Sequence, residues 1–402
     1  MIPKGWIKSQ VSGICTLQNG NSFKPQDWDT KGLPIIRIQN LNGSNNFNYY
    51  AGPTQEKWLV ETGQILFSWA GTRGVSFGPF IWKGNRGVLN QHIYKVFAND
   101  HINKDWLFFI LKFITSKIED KAHGFKATLL HVQKKDIDNQ PILCPPLSEQ
   151  RKIALILSTW DKAISTTERL IENSKQQKKA LMQQLLTGNL RLLSDSGERF
   201  EGELEEVTLA EIFDISRGAV QSTSVTGRYN LVVMGSITKS GKLAKKTKTD
   251  AESNILDKGD LVMPERDIGK GFIIGRTALI SENRQYVLGP NVLRLQIKET
   301  RKQIPEFWNL LSNASPFRRK IKKIVSGTSQ LMTTSKDIKK IATLIPATIE
   351  EQQKIASVLT NADKEIDILE QQLADLKQEK KALMQQLLTG KRRVKVEQGV
   401  AA

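Results

Sequence analysis

A chain of 402 residues, 39% hydrophobic and 25% charged, carries enough apolar material for two or three cored domains. Lys and Arg outnumber Asp and Glu by 59 to 41, a net charge of +18 that suits a polyanionic partner. Cys15 and Cys144 are the only cysteines, which excludes a disulfide framework and a zinc ligand set. No apolar leader and no run of 18 apolar residues occurs, so a cytoplasmic protein without a membrane partner is expected.

The first 145 residues predict a mixed α and β domain rich in turns. Trp6 to Asn19 reads as a short helix or strand running into a turn at Gly20. Pro34 to Leu41 alternates as a strand does, Gly63 to Trp69 gives a second strand before the Ala70-Gly71-Thr72-Arg73-Gly74 loop, and Gly87 to Val96 gives a third. Trp106 to Ile118 has helical apolar spacing, with its Trp and Phe residues assigned to the core, and Lys121 to His131 reads as a basic loop.

A long helix follows over 146–190. Its last stretch, Lys178-Lys179-Ala180-Leu181-Met182-Gln183-Gln184-Leu185-Leu186-Thr187-Gly188, returns unchanged at Lys380 to Gly390. Over 148–188 against 350–390, 23 of 41 positions are identical without a gap. A gapless match of that length implies fixed geometry, as in one continuous helix, and makes the chain two halves of the same plan. Apolar residues alternate by four and three along each copy, the seam of a coiled coil. The first seam is Ile153, Leu157, Trp160, Ile164, Thr167, Ile171, Ser174, Lys178, Leu181 and Leu185. The second is Ile355, Leu359, Ala362, Ile366, Leu369, Leu373, Leu376, Lys380, Leu383 and Leu387. The polar seam members fix register at a cost in tightness, above all Thr167 and Ser174. Pro145-Pro146 bars the first helix from extending backward, Thr348 with Glu351 matches a capping box at the second, and Gly188 and Gly390 stand at left-handed stops. Each helix of about 40 residues would be about 60 Å long. A short polar linker, 191–203, leads from the first helix into the second globular region, so antiparallel pairing with one globular region at each end is the simplest arrangement.

Residues 204–346 repeat the order of the first domain with little identity. Leu231 to Ile237 stands for the Ile36 to Leu41 part of the first strand, Lys258 to Met263 for Thr62 to Phe67, Tyr286 to Val292 for the Val88 strand, and Phe307 to Ile324 for the Trp106 helix; Ser326 to Gln330 parallels the basic loop. The second helical region spans 347–390 and a tail 391–402. The net charge is +7 over 1–144, +3 over 145–199, +8 over 200–346 and zero over 347–402, so it lies mainly on the globular regions. The helices are shared and the domains diverge: one common task, and two versions of another.

Catalytic motifs are missing. There is no phosphate-binding Gly-rich loop, no paired helical His spacing, and no Asn/Asp-Pro-Pro-aromatic motif of an amino-group methyltransferase; Cys144-Pro145-Pro146-Leu147 lacks both its polar first and aromatic last residue. Scattered acids such as Glu265 and Asp267 read as surface charge. Nucleic-acid binding asks for phosphate contacts and base contacts. For phosphate, Lys239, Lys242, Lys245, Lys246 and Lys248 form one cluster and Arg318, Arg319, Lys320, Lys322 and Lys323 another, with Lys121, Lys126, Lys134 and Lys135 in the first domain. For base edges the candidates are Arg73, Asn90, Gln91 and His92 in one domain and Arg217, Arg266 and Asn291 in the other, since Arg matches guanine and Asn or Gln matches adenine. A solvated face is the plainer reading of each basic cluster, and a structural role that of each base-edge candidate.

Glu-Gln-x-Lys-Ile-Ala after a Pro-rich entry, a long helix and Leu-Leu-Thr-Gly, each occurring twice behind a divergent domain, resembles the specificity (S) subunit of type I restriction–modification enzymes over essentially the whole chain. The resemblance implies two target recognition domains, 1–145 and 204–346, each reading one half of a bipartite asymmetric site in double-stranded DNA. It implies helices pairing as an antiparallel coiled coil, with an internal pseudo-two-fold repeat, that set the spacer and dock two methyltransferase (M) subunits. S-adenosylmethionine, ATP and Mg would be carried by partner subunits, with restriction (R) subunits joining for cleavage, and the chain itself would be non-catalytic. Two rivals stay open at this level: an enzyme with cryptic catalytic residues, and a DNA-binding coiled-coil scaffold outside restriction–modification.

Overall fold

The computed structural model describes residues 2–121, 129–244, 247–269, 271–328 and 330–396. The chain forms two compact units, one of residues 1–168 with 371–402 and one of residues 169–370. Both are mixed α and β, and both use the same plan.

In the first unit an antiparallel four-stranded sheet runs in the order Cys15–Asn19, Ile93–Ala98, Ile65–Ser68, Gly78–Ile81. A second sheet runs Tyr49–Tyr50, Leu33–Ile36, Gly87–Leu89, Leu59–Val60, with one parallel pair between Leu33–Ile36 and Gly87–Leu89. The second unit repeats both sheets. One is Phe213–Arg217, Val292–Ile297, Leu261–Pro264, Ala278–Leu279; the other is Thr247–Thr249, Tyr229–Val232, Tyr286–Leu288, Ile255–Leu256, again with one parallel pair.

Four expected elements are broken. The Pro34 strand ends at Ile36 because Asn40 turns the chain: its Oδ1 accepts from the Arg37 amide at 3.0 Å, and Ile38–Leu41 is one helical turn. Its counterpart ends at Val232, where the Ser236 hydroxyl accepts from the Val233 amide at 3.1 Å. The expected Gly87 to Val96 strand is two strands in different sheets, parted at Asn90–His92. The expected Phe307 to Ile324 helix is Pro305–Asn313 and Ser315–Ile324. Pro316 has no N–H for the Ser312 carbonyl and its ring would clash with it.

The long helices span Leu147–Leu186 and Ile349–Leu388 and pack antiparallel. Every seam residue is buried or half-buried. Ion pairs set the register, and each unit contains the same three. Asp161 meets Lys380, Glu168 meets Lys377 at 2.7 Å, and Glu149 meets Arg393 in the first unit. Asp363 meets Lys178, Glu370 meets Lys175 at 2.6 Å, and Glu351 meets Arg191 at 2.6 Å in the second. The lysine that interrupts each seam is therefore neutralised by an aspartate of the facing helix. Thr167 turns its hydroxyl onto the Ala163 carbonyl of its own helix at 3.0 Å. The capping box at Thr348 is half formed: Thr348 Oγ1 accepts from the Glu351 amide at 3.4 Å, while the Glu351 carboxylate takes the Arg191 fork. Gly188 (φ 76°) and Gly390 (φ 70°) end the helices in the left-handed region.

The helix ends are also domain core. Ile153, Ala154, Leu157, Leu387 and Leu388 join Trp106, Leu107, Phe109, Ile110 and Leu111 in one cluster. Leu185, Leu186, Ile355, Ala356 and Leu359 join Phe307, Trp308 and Leu311 in the other. Full burial of a leucine such as Leu157 or Leu359 contributes about 1.5–3 kcal/mol. The Gln of each Glu-Gln motif fixes the junction. Gln150 donates to the Pro145 carbonyl (2.9 Å) and accepts from the Asn103 amide (2.8 Å); Gln352 donates to Pro346 (3.0 Å) and accepts from Ile304 (3.3 Å).

Candidate nucleic-acid interface

Each unit holds one cluster in which the first sheet meets a small two-stranded ribbon. In the first unit the ribbon is Ala70–Thr72 with Leu129–His131; in the second it is Arg266–Asp267 with Leu331–Met332. Two backbone contacts in each unit define the same frame. The Trp69 amide donates to the His92 carbonyl (3.3 Å) and the Val132 amide to the Trp69 carbonyl (3.0 Å). The Glu265 amide donates to Asn291 (3.1 Å) and the Thr333 amide to Glu265 (2.9 Å). Strand register completes the match, with Asn19 opposite Tyr94 and Arg217 opposite Leu293. The next residue of each strand, Gly20 or Gly218, donates to the Ile93 carbonyl (3.1 Å) or the Val292 carbonyl (3.0 Å). A Cβ on Gly20 would fall 2.2 Å from the Asn90 carbonyl oxygen, and one on Gly218 1.9 Å from that of Gly289, so both positions require glycine.

The side chains on this shared frame differ. The first unit presents Asn19, Trp69, His92 and His131. The Trp69 indole donates to Gln91 O (3.1 Å) and to Asn19 Oδ1 (3.4 Å), and its ring centroid lies 5.0 Å from that of His92 and 4.7 Å from that of His131. Among the described residues, nothing hydrogen-bonds the buried His92 Nδ1 or Gln91 Oε1. Burial, and secondly His131, lower the His92 pKa, so its imidazole is neutral at pH 7. The second unit presents Arg217, Glu265, Asn291 and Met332. The exposed Arg217 guanidinium pairs with the buried Glu265 carboxylate, and Asn291 holds a left-handed backbone (φ 63°).

The remaining candidates are scattered. Asn90 uses Oδ1 on the Gln91 amide (2.8 Å). Arg73 pairs with Asp120 at 3.6 Å, Lys134 pairs with Asp138, and Lys135 is exposed. Lys239 lies 4.3 Å over the Phe272 ring; Lys242 is held by Asp367 of the second long helix at 2.9 Å, a bond that raises its pKa; Lys248 is half-buried on a strand. Arg266 is half-buried, while Arg319, Lys322 and Lys323 are exposed. Lys126, Lys245 and Lys246 lie outside the described residues, as does the Lys121 side chain. Arg318 is buried and donates to the Ile274 carbonyl; burial, then the neighbouring Arg276, push its pKa down to about 10. It braces the fold and leaves the surface set. Glu265 and Asp267 are likewise not surface charge: both are buried, Glu265 under Arg217 and Asp267 accepting from the Ile273 amide at 2.9 Å. Asn19, Trp69, His131 and Met332 were not candidates from sequence, because only strand pairing brings them together.

A family model described as the type I restriction modification DNA specificity domain matches residues 3–175 and again 201–378. The chain belongs to that family, as a type I restriction–modification specificity subunit. It is 29% identical over 358 residues to the type I restriction enzyme MjaVIII specificity subunit of Methanocaldococcus jannaschii, covering 85% of this chain and 82% of that one. In fold it is similar to the type I restriction–modification S subunit from M. genitalium (TM-score 0.58, 18% identity, 96% of each chain). It is also similar to a chain from a structural study of complex assembly and conformational transition in the type I R-M system (TM-score 0.62, 17% identity, 98% of this chain and 100% of that one).

Proposed function

We propose that each unit reads one half of a bipartite, asymmetric site in double-stranded DNA, and that the paired helices set the spacer between halves. The observation that carries this reading is the contrast within one chain. Two domains share a backbone frame and a helix repeat, yet present an imidazole–indole cluster in one and an arginine–carboxylate cluster in the other. Two readers of different sequences on one scaffold need that combination. The exposed basic residues Lys135, Arg319, Lys322 and Lys323 serve the phosphates, where position counts and sequence does not. The helices dock two methyltransferase subunits, and the exposed apolar side chains Leu155, Leu170 and Ile368 support a partner there. Those subunits carry S-adenosylmethionine and methylate adenine N6; restriction subunits join them with ATP and Mg for cleavage. This chain contributes specificity and no catalytic group.

Single-molecule methylome sequencing of the source cell, with and without the gene, tests the reading. Loss of one bipartite N6-methyladenine motif on deletion is the expected result and gives both half-sites and the spacer. Failure of the chain to co-purify with a methyltransferase, together with an unchanged methylome, overturns it in favour of a scaffold outside restriction–modification.

A further inference from the structure

The DNA-reading role proposed above leaves open which side chains meet the bases, and the shared frame narrows the choice. We propose that the sequence-reading side chains are Asn19, His92 and His131 in the first unit and Arg217, Asn291 and Met332 in the second, with Trp69 and Glu265 as positioning residues. This inference rests on the specificity-subunit reading and deepens it.

Three observations carry it. First, the positions are equivalent by backbone hydrogen bond and strand register, so the same frame carries different side-chain chemistry in the two units. Second, the polar atoms are held but not used up. Asn19 and His131 are exposed, Arg217 is 57% exposed, and His92 Nδ1 is without a hydrogen-bond partner among the described residues. Buried polar atoms are nearly always paired, so an orphan beside an exposed imidazole is one that a ligand would complete. Third, each cluster has a built support. The Trp69 ring lies against both imidazoles, and the Glu265 carboxylate pairs with the Arg217 guanidinium.

The chemistry then assigns the kind of base edge. A fixed guanidinium suits the N7 and O6 acceptors of guanine, the Asn291 amide suits the N7 and N6 of adenine, and the exposed Met332 thioether suits a thymine methyl. In the first unit a neutral imidazole can donate from one nitrogen and accept at the other, and Asn19 offers both a donor and an acceptor. The two halves of the site should therefore differ in composition.

The test is methylome mapping in the source cell with the chromosomal gene replaced by Asn19→Ala, His131→Ala, Arg217→Ala or Asn291→Gly; glycine keeps the left-handed backbone and removes the amide. Both first-unit variants are expected to relax one and the same half of the motif, and both second-unit variants the other half, with the spacer unchanged. Each should lose discrimination at a base position by on the order of tenfold. An unchanged motif in all four overturns the assignment. So does weaker methylation spread evenly over all sites, which is what lost phosphate contacts would give. If a variant abolishes methylation, His131→Gln and Arg217→Lys decide, since both keep size and polarity while altering the donor pattern. A wild-type cell with no motif that depends on the gene would instead sink the specificity-subunit reading itself.

Discussion

His92 shows how a single side chain couples folding to pH. Its folded pKa lies below the ordinary value near 6.5, so the unfolded chain binds the extra proton first as pH falls. The stabilisation is complete above the unfolded pKa and is lost as pH drops through the window between the unfolded and folded values. A thermal melt of the wild type should therefore fall more steeply between pH 7 and pH 5 than that of His92→Asn, and parallel profiles would contradict this. His131 faces the same ring and, after burial, lowers the His92 pKa further. Gly20 is the second residue whose role is testable. A Cβ there meets the Asn90 carbonyl, so Gly20→Ala should cost about 1–3 kcal/mol by overpacking and lower the melting temperature, and an unshifted melt would show that the loop yields freely. His92 and Asn291 were legible from sequence because amides and imidazoles beside a strand turn are chemically conspicuous. Trp69, Glu265 and His131 were not, since nothing local in the sequence says that a ribbon joins segments dozens of residues apart.

At the scale of elements, the heptad period was fully legible and the sheet order was not. Periodicity reports a face, and each seam residue does lie on the sheltered face of its helix. The split of the expected Gly87 to Val96 strand depends on a contact with Gly20, some seventy residues earlier, which no window of the sequence contains. The seam lysines illustrate how an apparent defect becomes a register device. Lys380 is 7% exposed, pairs with Asp161 and lies 5.3 Å from the Phe109 ring centroid. Removing one member of a buried pair strands the other, but the Asp161 side chain is 40% exposed, so solvent takes up much of the loss. Lys380→Ala should destabilise by about 1–2 kcal/mol once that screening is allowed for. The companion Lys178→Ala should cost less, because that lysine is more exposed. A double-mutant cycle over Lys380 and Asp161 measures the coupling, and a value indistinguishable from zero would reduce the pair to a crystal-like surface contact.

For the whole molecule, the repeated ion pairs turn the spacer idea into a mechanical statement. Three carboxylates of one helix address three cations on or just beyond the other, and the same three addresses recur in the second unit at an offset of 202 residues. Deleting one heptad from the second helix alone, over 371–377, keeps its apolar seam in phase but removes Lys377 and displaces Lys380 by about 10 Å along the axis, since each helical residue rises about 1.5 Å. With the helix held in its old register, Asp161 and Glu168 then face Leu387 and Met384 in place of their lysines. The helix can recover its pairs only by sliding, which strains the junctions held by Gln150 and Gln352. The expected outcome is therefore either a methylated motif with a changed spacer between intact half-sites, or loss of methyltransferase binding. Methylome mapping and co-purification of the variant distinguish the two. Retention of the original half-sites at the original spacing would show that the helices do not measure the distance, and the spacer would then have to be set by the partner subunits.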